Sequence, residues 1–281
     1  MNGGIHLMEQ PVPLIDRPWT PPPGATPFHI PFFFSPIAVC TDGSPTATTL
    51  HRQIGVEDFY LIGIGSNLTT RTAGIRLVED RTGRNFMGSS YLSLTKIIPY
   101  NDRLDFLWTG LKPYRMRGGG SVTLEVRNTG AAITRLGVTL IGYRLPKGMP
   151  TPPDSDRYPP YYISQNLAAV ATAGLVATAS PTPRVGDLPF TLVAIGFDFP
   201  DTNSPLFAFY GPNGEEFMKP RVLATALFFA NGSTGYEPVY PLLSHVFYPA
   251  GSGIKTESES TGTSERLNLV YIGYQDRGPQ P

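Results

Sequence analysis

Histidine, cysteine and serine build most metal sites and nucleophilic centres, and in this sequence they are scattered. The histidines are His6, His29, His51 and His245, and Cys40 is the single cysteine. No two histidines stand at ligand spacing, and His-x-His, His-Glu-x-x-His and Cys-x-x-Cys are all missing. Metal-binding barrels of the cupin type, which need a histidine cluster on their strands, are therefore disfavoured. One cysteine cannot make an intrachain disulfide, and Cys40 in the apolar run Ile37-Ala38-Val39-Cys40 reads as a small buried hydrophobe. Ser66 follows Ile62-Gly63-Ile64-Gly65, which superficially resembles a nucleophile elbow, but no Gly-x-Ser-x-Gly frames it. No helix signal follows these glycines, so close strand packing or a bulge explains them better than a phosphate loop.

The acidic pairs Glu79 with Asp80 and Asp102 with Asp105 have the composition of a glycosidase dyad. Both lie at or near turns, where carboxylates are expected to be simply solvated. Arg115-Met116-Arg117-Gly118-Gly119-Gly120 is basic and flexible, yet the chain balances 22 basic against 22 acidic residues. That balance leaves no electrostatic footprint for nucleic acid or an anionic membrane. No catalytic residue, metal ligand or cofactor is assigned, and the chain is read as non-enzymatic. Aromatics in Pro- and Gly-rich segments remain, because Tyr and Trp supply contact area with a polar handle. Trp108, Tyr236, Tyr240 and Tyr248 are the candidate contacts for a protein partner or a glycan.

The elements that would carry these residues come in two sets. Sliding the sequence along itself by 131 positions lays Phe59-Tyr60-Leu61-Ile62-Gly63-Ile64-Gly65 on Phe190-Thr191-Leu192-Val193-Ala194-Ile195-Gly196. Gly83, Phe86 and Met87 fall on Gly214, Phe217 and Met218, and Ile141-Gly142-Tyr143 on Ile272-Gly273-Tyr274. From residue 38 to 143 there are 21 identities in 106 ungapped positions, well above what this composition gives by accident. The chain reads as a duplicated domain, and 281 residues suffice for two cores. Ser66 then falls on Phe197, and Glu79 and Asp80 on Tyr210 and Gly211, so the shared frame requires none of them.

Four segments follow. Residues 1–31 form a proline-rich arm, whose eight prolines exclude a helix or an inner strand. The arm also carries Leu14, Ile15, Trp19, Phe28 and Ile30, apolar residues that gain burial either on their own domain or on a neighbouring subunit. Residues 32–145 are the first β-sandwich. Phe59 to Ile64 reads as a strand covered on both faces, and Ser121 to Arg127 alternates, with Val122, Leu124 and Val126 on one face. Residues 146–160 hold Pro146, Pro150, Pro152, Pro153, Pro159 and Pro160 and predict a semi-rigid spacer. Residues 161–281 are the second sandwich. It departs from the first at Gly253 to Ser264, where Lys255-Thr256-Glu257-Ser258-Glu259-Ser260 looks too polar to line a core and predicts an exposed loop or edge strand. No secretory signal or apolar run of the roughly 18 residues needed to cross a bilayer is present, which predicts a soluble chain made in the cytoplasm.

Each copy resembles a family of tailed-bacteriophage virion proteins. The shared features are an opening Ala-Val-x-Thr-x-Gly segment (Ala38 to Gly43, Ala169 to Gly174), a Phe-x-Leu-x-x-Ile run, a hairpin ending in Gly-x-x-Phe, a late Gly-Ser, and a final Ile-Gly-Tyr strand. The resemblance spans Ala38 to Tyr143 and Ala169 to Tyr274 but not the arm. It implies an all-β fold of tandem, jelly-roll-like sandwiches used as a building block of a capsid, neck, collar or tail. It also implies partners that are copies of the chain and other virion proteins, with no nucleic acid and no membrane, and residence in the virion after synthesis in the host. A carbohydrate- or receptor-binding module is the alternative.

Overall fold

The structure is a computed structural model that describes residues 22–35, 37, 48–66, 73–88, 91–93, 106–108, 113–130, 132–152, 154–170, 173–178, 182–198, 206–217, 221–223, 239–261 and 265–278. Four antiparallel sheets form two sandwiches. Sheet I orders β1 (Thr26–Phe34), β10 (Leu136–Arg144), β3 (Phe59–Ser66) and β7 (Phe106–Trp108), with β8 (Tyr114–Met116) also on β3. Sheet II orders β2 (Thr48–Gln53), β9 (Ser121–Asn128), β4 (Ala73–Glu79) and β5 (Arg84–Asn85), with β6 (Leu92–Ser93) also on β4. Sheet III orders β11 (Pro160–Val170), β18 (Glu265–Gln275), β13 (Phe190–Asp198) and β16 (Val239–Tyr248). Sheet IV orders β12 (Val176–Thr178), β17 (Thr256–Glu259), β14 (Leu206–Phe209) and β15 (Val222–Leu223).

The duplication is visible atom by atom. In sheet I the β10–β3 register slips at Ile141/Gly142, and in sheet III the β13–β18 register slips at Leu192/Ala194, opposite Gly273. A Cβ on Gly142 would lie 2.2 Å from the Tyr60 carbonyl oxygen, and one on Gly273 2.0 Å from that of Thr191. Only glycine fits the two bulges, which accounts for the repeated Ile-Gly-Tyr. Phe28 meets Phe59 edge-on at 6.0 Å, and Tyr161 meets Phe190 edge-on at 6.1 Å. Phe28 and Tyr161 therefore hold one station, and the matching stretches of β1 and β11 lie two positions out of the ungapped register. His29, not Pro31, is the counterpart of Tyr162.

One expectation fails at the chain's beginning, and one left open is decided for Phe28 and Ile30. Strand β1 starts at Thr26, inside the segment read as an arm, and pairs with β10 from Thr26↔Arg144 to Phe34↔Leu136. It is an edge strand, so Pro27 and Pro31 cost the ladder nothing. Ile30, Phe32 and Phe34 point into the first core, with Ile30 3% exposed, so Ile30 gains its burial at home. Phe28 packs against the same core, with the Arg144 guanidinium 3.4 Å over its ring. Leu14, Ile15 and Trp19 lie outside the described residues.

The polar stretch after Gly253 is also not exposed. It forms β17, an inner strand of sheet IV between β12 and β14. Its alternation turns Thr256 and Ser258 inward, both buried, and Glu257 and Glu259 outward. The Tyr271 hydroxyl bonds both Thr256 and Gln165, so a hydroxyl reaching across the sandwich partners the inward Thr256.

Sheet III is buried on both faces. Phe190, Leu192, Ile195, Leu269 and Tyr271 line the second core, while Tyr162, Val193, Val270 and Ile272 join the first. The segment between the sandwiches is tied to both of them through residues 155–157. Ser155 accepts the Arg115 amide proton at 3.0 Å, Arg115 and Arg117 pair with Asp156, and Arg157 grips Asp276 through two bonds of 2.8 and 2.9 Å.

Candidate functional site

The closest approach to a nucleophilic centre is on the outer face of sheet II. Asp80 accepts from the hydroxyls of Ser121, at 2.5 Å, and of Thr123, whose Oγ1 lies 2.6 Å from His51 Nδ1. Both hydroxyl protons go to the carboxylate, so the imidazole has no nucleophile to activate. Burial pushes the Asp80 carboxyl up, but the Ser121 and Thr123 hydrogen bonds and the nearby His51 outweigh it and hold the group below its ordinary value. The cluster ties the β4–β5 turn to β9 and β2, and His51 faces solvent. Among the described residues no three His, Cys, Asp or Glu side chains converge on a point where an ion could sit.

Glu79 is not solvated, contrary to expectation. It is 2% exposed, and accepts from Tyr114 Oη at 3.0 Å and Thr82 Oγ1 at 2.7 Å. Arg84 donates to the same Tyr114 hydroxyl at 2.8 Å. Burial and the Glu79 charge raise the Tyr114 phenol above its ordinary value. This closed network locks the end of sandwich one. Asp102 and Asp105 lie outside the described residues. Arg115, read as a possible phosphate contact, is bound to Asp58 at 2.6 Å. Ser66 gives its hydroxyl proton to the Gly137 carbonyl, a bond that ties β3 to β10.

The aromatic contacts read from sequence do not converge. Tyr248 is fully buried, giving its hydroxyl proton to the Tyr210 carbonyl at 2.8 Å, and cannot touch a glycan. Tyr240 is half-buried against the second core. Trp108 is in β7, opposite Gly63, with its side chain outside the description; Tyr236 lies outside the described residues.

What the geometry does bring forward is apolar surface. Tyr162 donates its amide proton to the Phe86 carbonyl at 2.9 Å, and with Val193, Val270 and Ile272 it seals the open side of sandwich one. The Tyr162 hydroxyl has no hydrogen-bond partner among the described residues, and burial raises the phenol above its ordinary value. Elsewhere large apolar side chains stay in solvent: Phe33 is 70% exposed on the outer face of sheet I, and Phe217 45% exposed beside β14. Sequence reasoning missed these two, although Phe217 was visible as the repeat of Phe86.

No family model matches the chain, and no curated protein does. A solved structure does: the crystal structure of the STIV MCP, the major capsid protein of an archaeal virus, aligns over 89% of this chain and 96% of its own with a TM-score of 0.50 and 9% sequence identity. The four sheets thus form a double jelly roll, the fold of that viral capsid protein. The likeness is to an archaeal virus rather than to a tailed phage.

Proposed function

We propose that this chain is a structural subunit of a virion shell and acts through protein–protein contacts with copies of itself. The observation that carries this reading is the double jelly roll, matched to a capsid protein along nearly the whole of both chains. The exposed apolar faces support it, since a part held in place by contacts must keep such faces uncovered until it assembles. The motifs resembling tailed-phage proteins carry the neck, collar and tail alternatives, but the fold likeness favours a shell. Other virion proteins are further partners on this reading, and the virion is where the chain resides. The test is electron microscopy of the purified full-length chain over a range of concentration and salt. Closed shells, sheets or a discrete symmetric oligomer are expected. A chain that stays monomeric throughout, and is missing from purified particles of its source, would overturn the reading.

A further inference from the structure

Phe86 and Phe217 hold the same station in the two sandwiches. Each follows the turn after the inner strand of its sheet and donates its amide proton back to that strand, Phe86 to the Leu77 carbonyl and Phe217 to that of Phe209, both at 3.0 Å. Their surroundings differ. Phe86 is 1% exposed and Phe217 45%. Sheet III makes the difference: its outer face lies over the Phe86 edge, where Tyr162 bonds the Phe86 carbonyl and Val193, Val270 and Ile272 enter the first core. No described sheet lies over the Phe217 edge.

The outer face of sheet I is the duplicate of the face that does this covering. His29 stands where Tyr162 stands, and Ile141 where Ile272 stands, each pair facing the other across its own ladder. Ile272 is fully buried and Ile141 half-buried, while His29 and Phe33 are in solvent. Each chain therefore has one closed junction and the two halves of a second, one on each sandwich. The closed junction and the ion pairs around Asp156 and Asp276 fix the sandwiches to one another through other surfaces. The open halves can meet only between chains.

We infer that the outer face of sheet I, around Phe33 and Ile141, docks on the Phe217 edge of sandwich two in a second copy of this chain. The inference rests on the self-assembly reading and adds to it which surfaces meet. The His29 amide takes the role of the Tyr162 amide and bonds the Phe217 carbonyl. Phe33 adds apolar area that sheet III lacks, its counterpart there being Asn166. The contact joins unlike patches, so it is head-to-tail: every copy offers one face and one edge.

The test uses the full-length chain with Phe33→Asp and Phe217→Asp made separately and sedimented across concentration. Each substitution puts a charge into the proposed contact but lies on the surface of the single chain, so circular dichroism and thermal unfolding should match the parent; Phe33→Ser and Phe217→Ser replace them if not. Each variant alone is expected at single-chain mass at concentrations roughly a hundredfold above those at which the parent assembles. A mixture of the two is expected to form a two-chain species and stop there, because the Phe217→Asp chain keeps a good face and the Phe33→Asp chain a good edge. A mixture that stays monomeric overturns the head-to-tail pairing. Variants that assemble like the parent overturn the interface while leaving the shell reading intact, and if a version starting at Pro22 then fails to assemble, the N-terminal segment is the joint. A parent chain that never assembles removes the shell reading and this inference together.

Discussion

Strands β9 and β17 occupy the same place in the two sandwiches and are built of opposite material. In sandwich one, Val122, Leu124 and Val126 turn inward and need only apolar neighbours. In sandwich two, Thr256 and Ser258 turn inward, and the facing sheet supplies the Tyr271 hydroxyl, itself bonded to Gln165, to meet Thr256. The outward carboxylates differ too. Glu125 meets Arg76 at 3.7 Å, whereas Glu257 is gripped by Arg221 and Lys255, both at 2.7 Å, and by Tyr210 at 2.8 Å. A duplicated frame thus tolerates exchange of its lining when strands distant in sequence change with it. The sandwiches are unequal in a second way, since sheet III of one seals the other while the outer face of sheet I is left in solvent around His29 and Phe33.

The comparison breaks hardest at the junction. Tyr162→Ala removes a fully buried ring from the seam and should cost about 3–5 kcal/mol in chemical denaturation. His29→Ala, at the same station on the open face, should change stability by no more than about 0.5 kcal/mol. Tyr162→Phe should cost nothing or stabilise slightly, because the buried hydroxyl it deletes has no partner among the described residues. If Tyr162→Ala and His29→Ala cost the same, the two faces are not in different states.

The linings give the next largest effect. Thr256→Val leaves the buried Tyr271 hydroxyl short of one partner and should cost roughly 1–3 kcal/mol. Adding Tyr271→Phe and Gln165→Leu removes the rest of that buried network, and equilibrium unfolding of the triple variant should show most of that loss recovered. Failure to recover would mean that the polar lining does more than satisfy itself.

The smallest effect is on pH dependence. Burial pushes the Glu257 carboxyl up, but bonds from Lys255, Arg221 and Tyr210 outweigh it and bring the carboxyl down to about 2. Its folded value is below its unfolded one, so its stabilisation is complete above about 4.5 and is lost as the pH falls toward about 2. Glu257→Gln should lower stability at neutral pH by on the order of 1 kcal/mol and flatten the acid limb of a melting-temperature profile. Glu125→Gln, which loses the 3.7 Å pair with Arg76, should lower stability at neutral pH by less.

Much of the frame was legible in the sequence. The continuous run at Phe59 gives a doubly covered strand, the alternation after Ser121 gives β9, and the Ile-Gly-Tyr repeat marks the final strand of each copy, because each signal is local. Strand β17 was not legible, since the Tyr271 hydroxyl that partners its Thr256, and the Gln165 amide behind it, are brought there only by the facing sheet. The start of β1 was hidden by prolines that an edge strand accepts. Glu79 looked solvated because its donors, Tyr114 and Thr82, are aligned only by the fold. The functional surfaces were half legible: the repeat exposes Phe86 and Phe217 as a pair, but only the packing of sheet III over one of them shows that the other is open.

Oxidative footprinting across the assembly concentration follows Phe33, Phe217 and Phe86 together, with Met149, 40% exposed on the segment between the sandwiches, as the internal standard. In the dilute chain Phe33 and Phe217 should react and Phe86 should not. As mass rises, Phe33 and Phe217 should become protected in parallel while Met149 stays reactive. Assembly with Phe33 and Phe217 as reactive as before, or a Phe86 that reacts in the dilute chain, would contradict the picture of one face sealed within the chain and its duplicate sealed between chains.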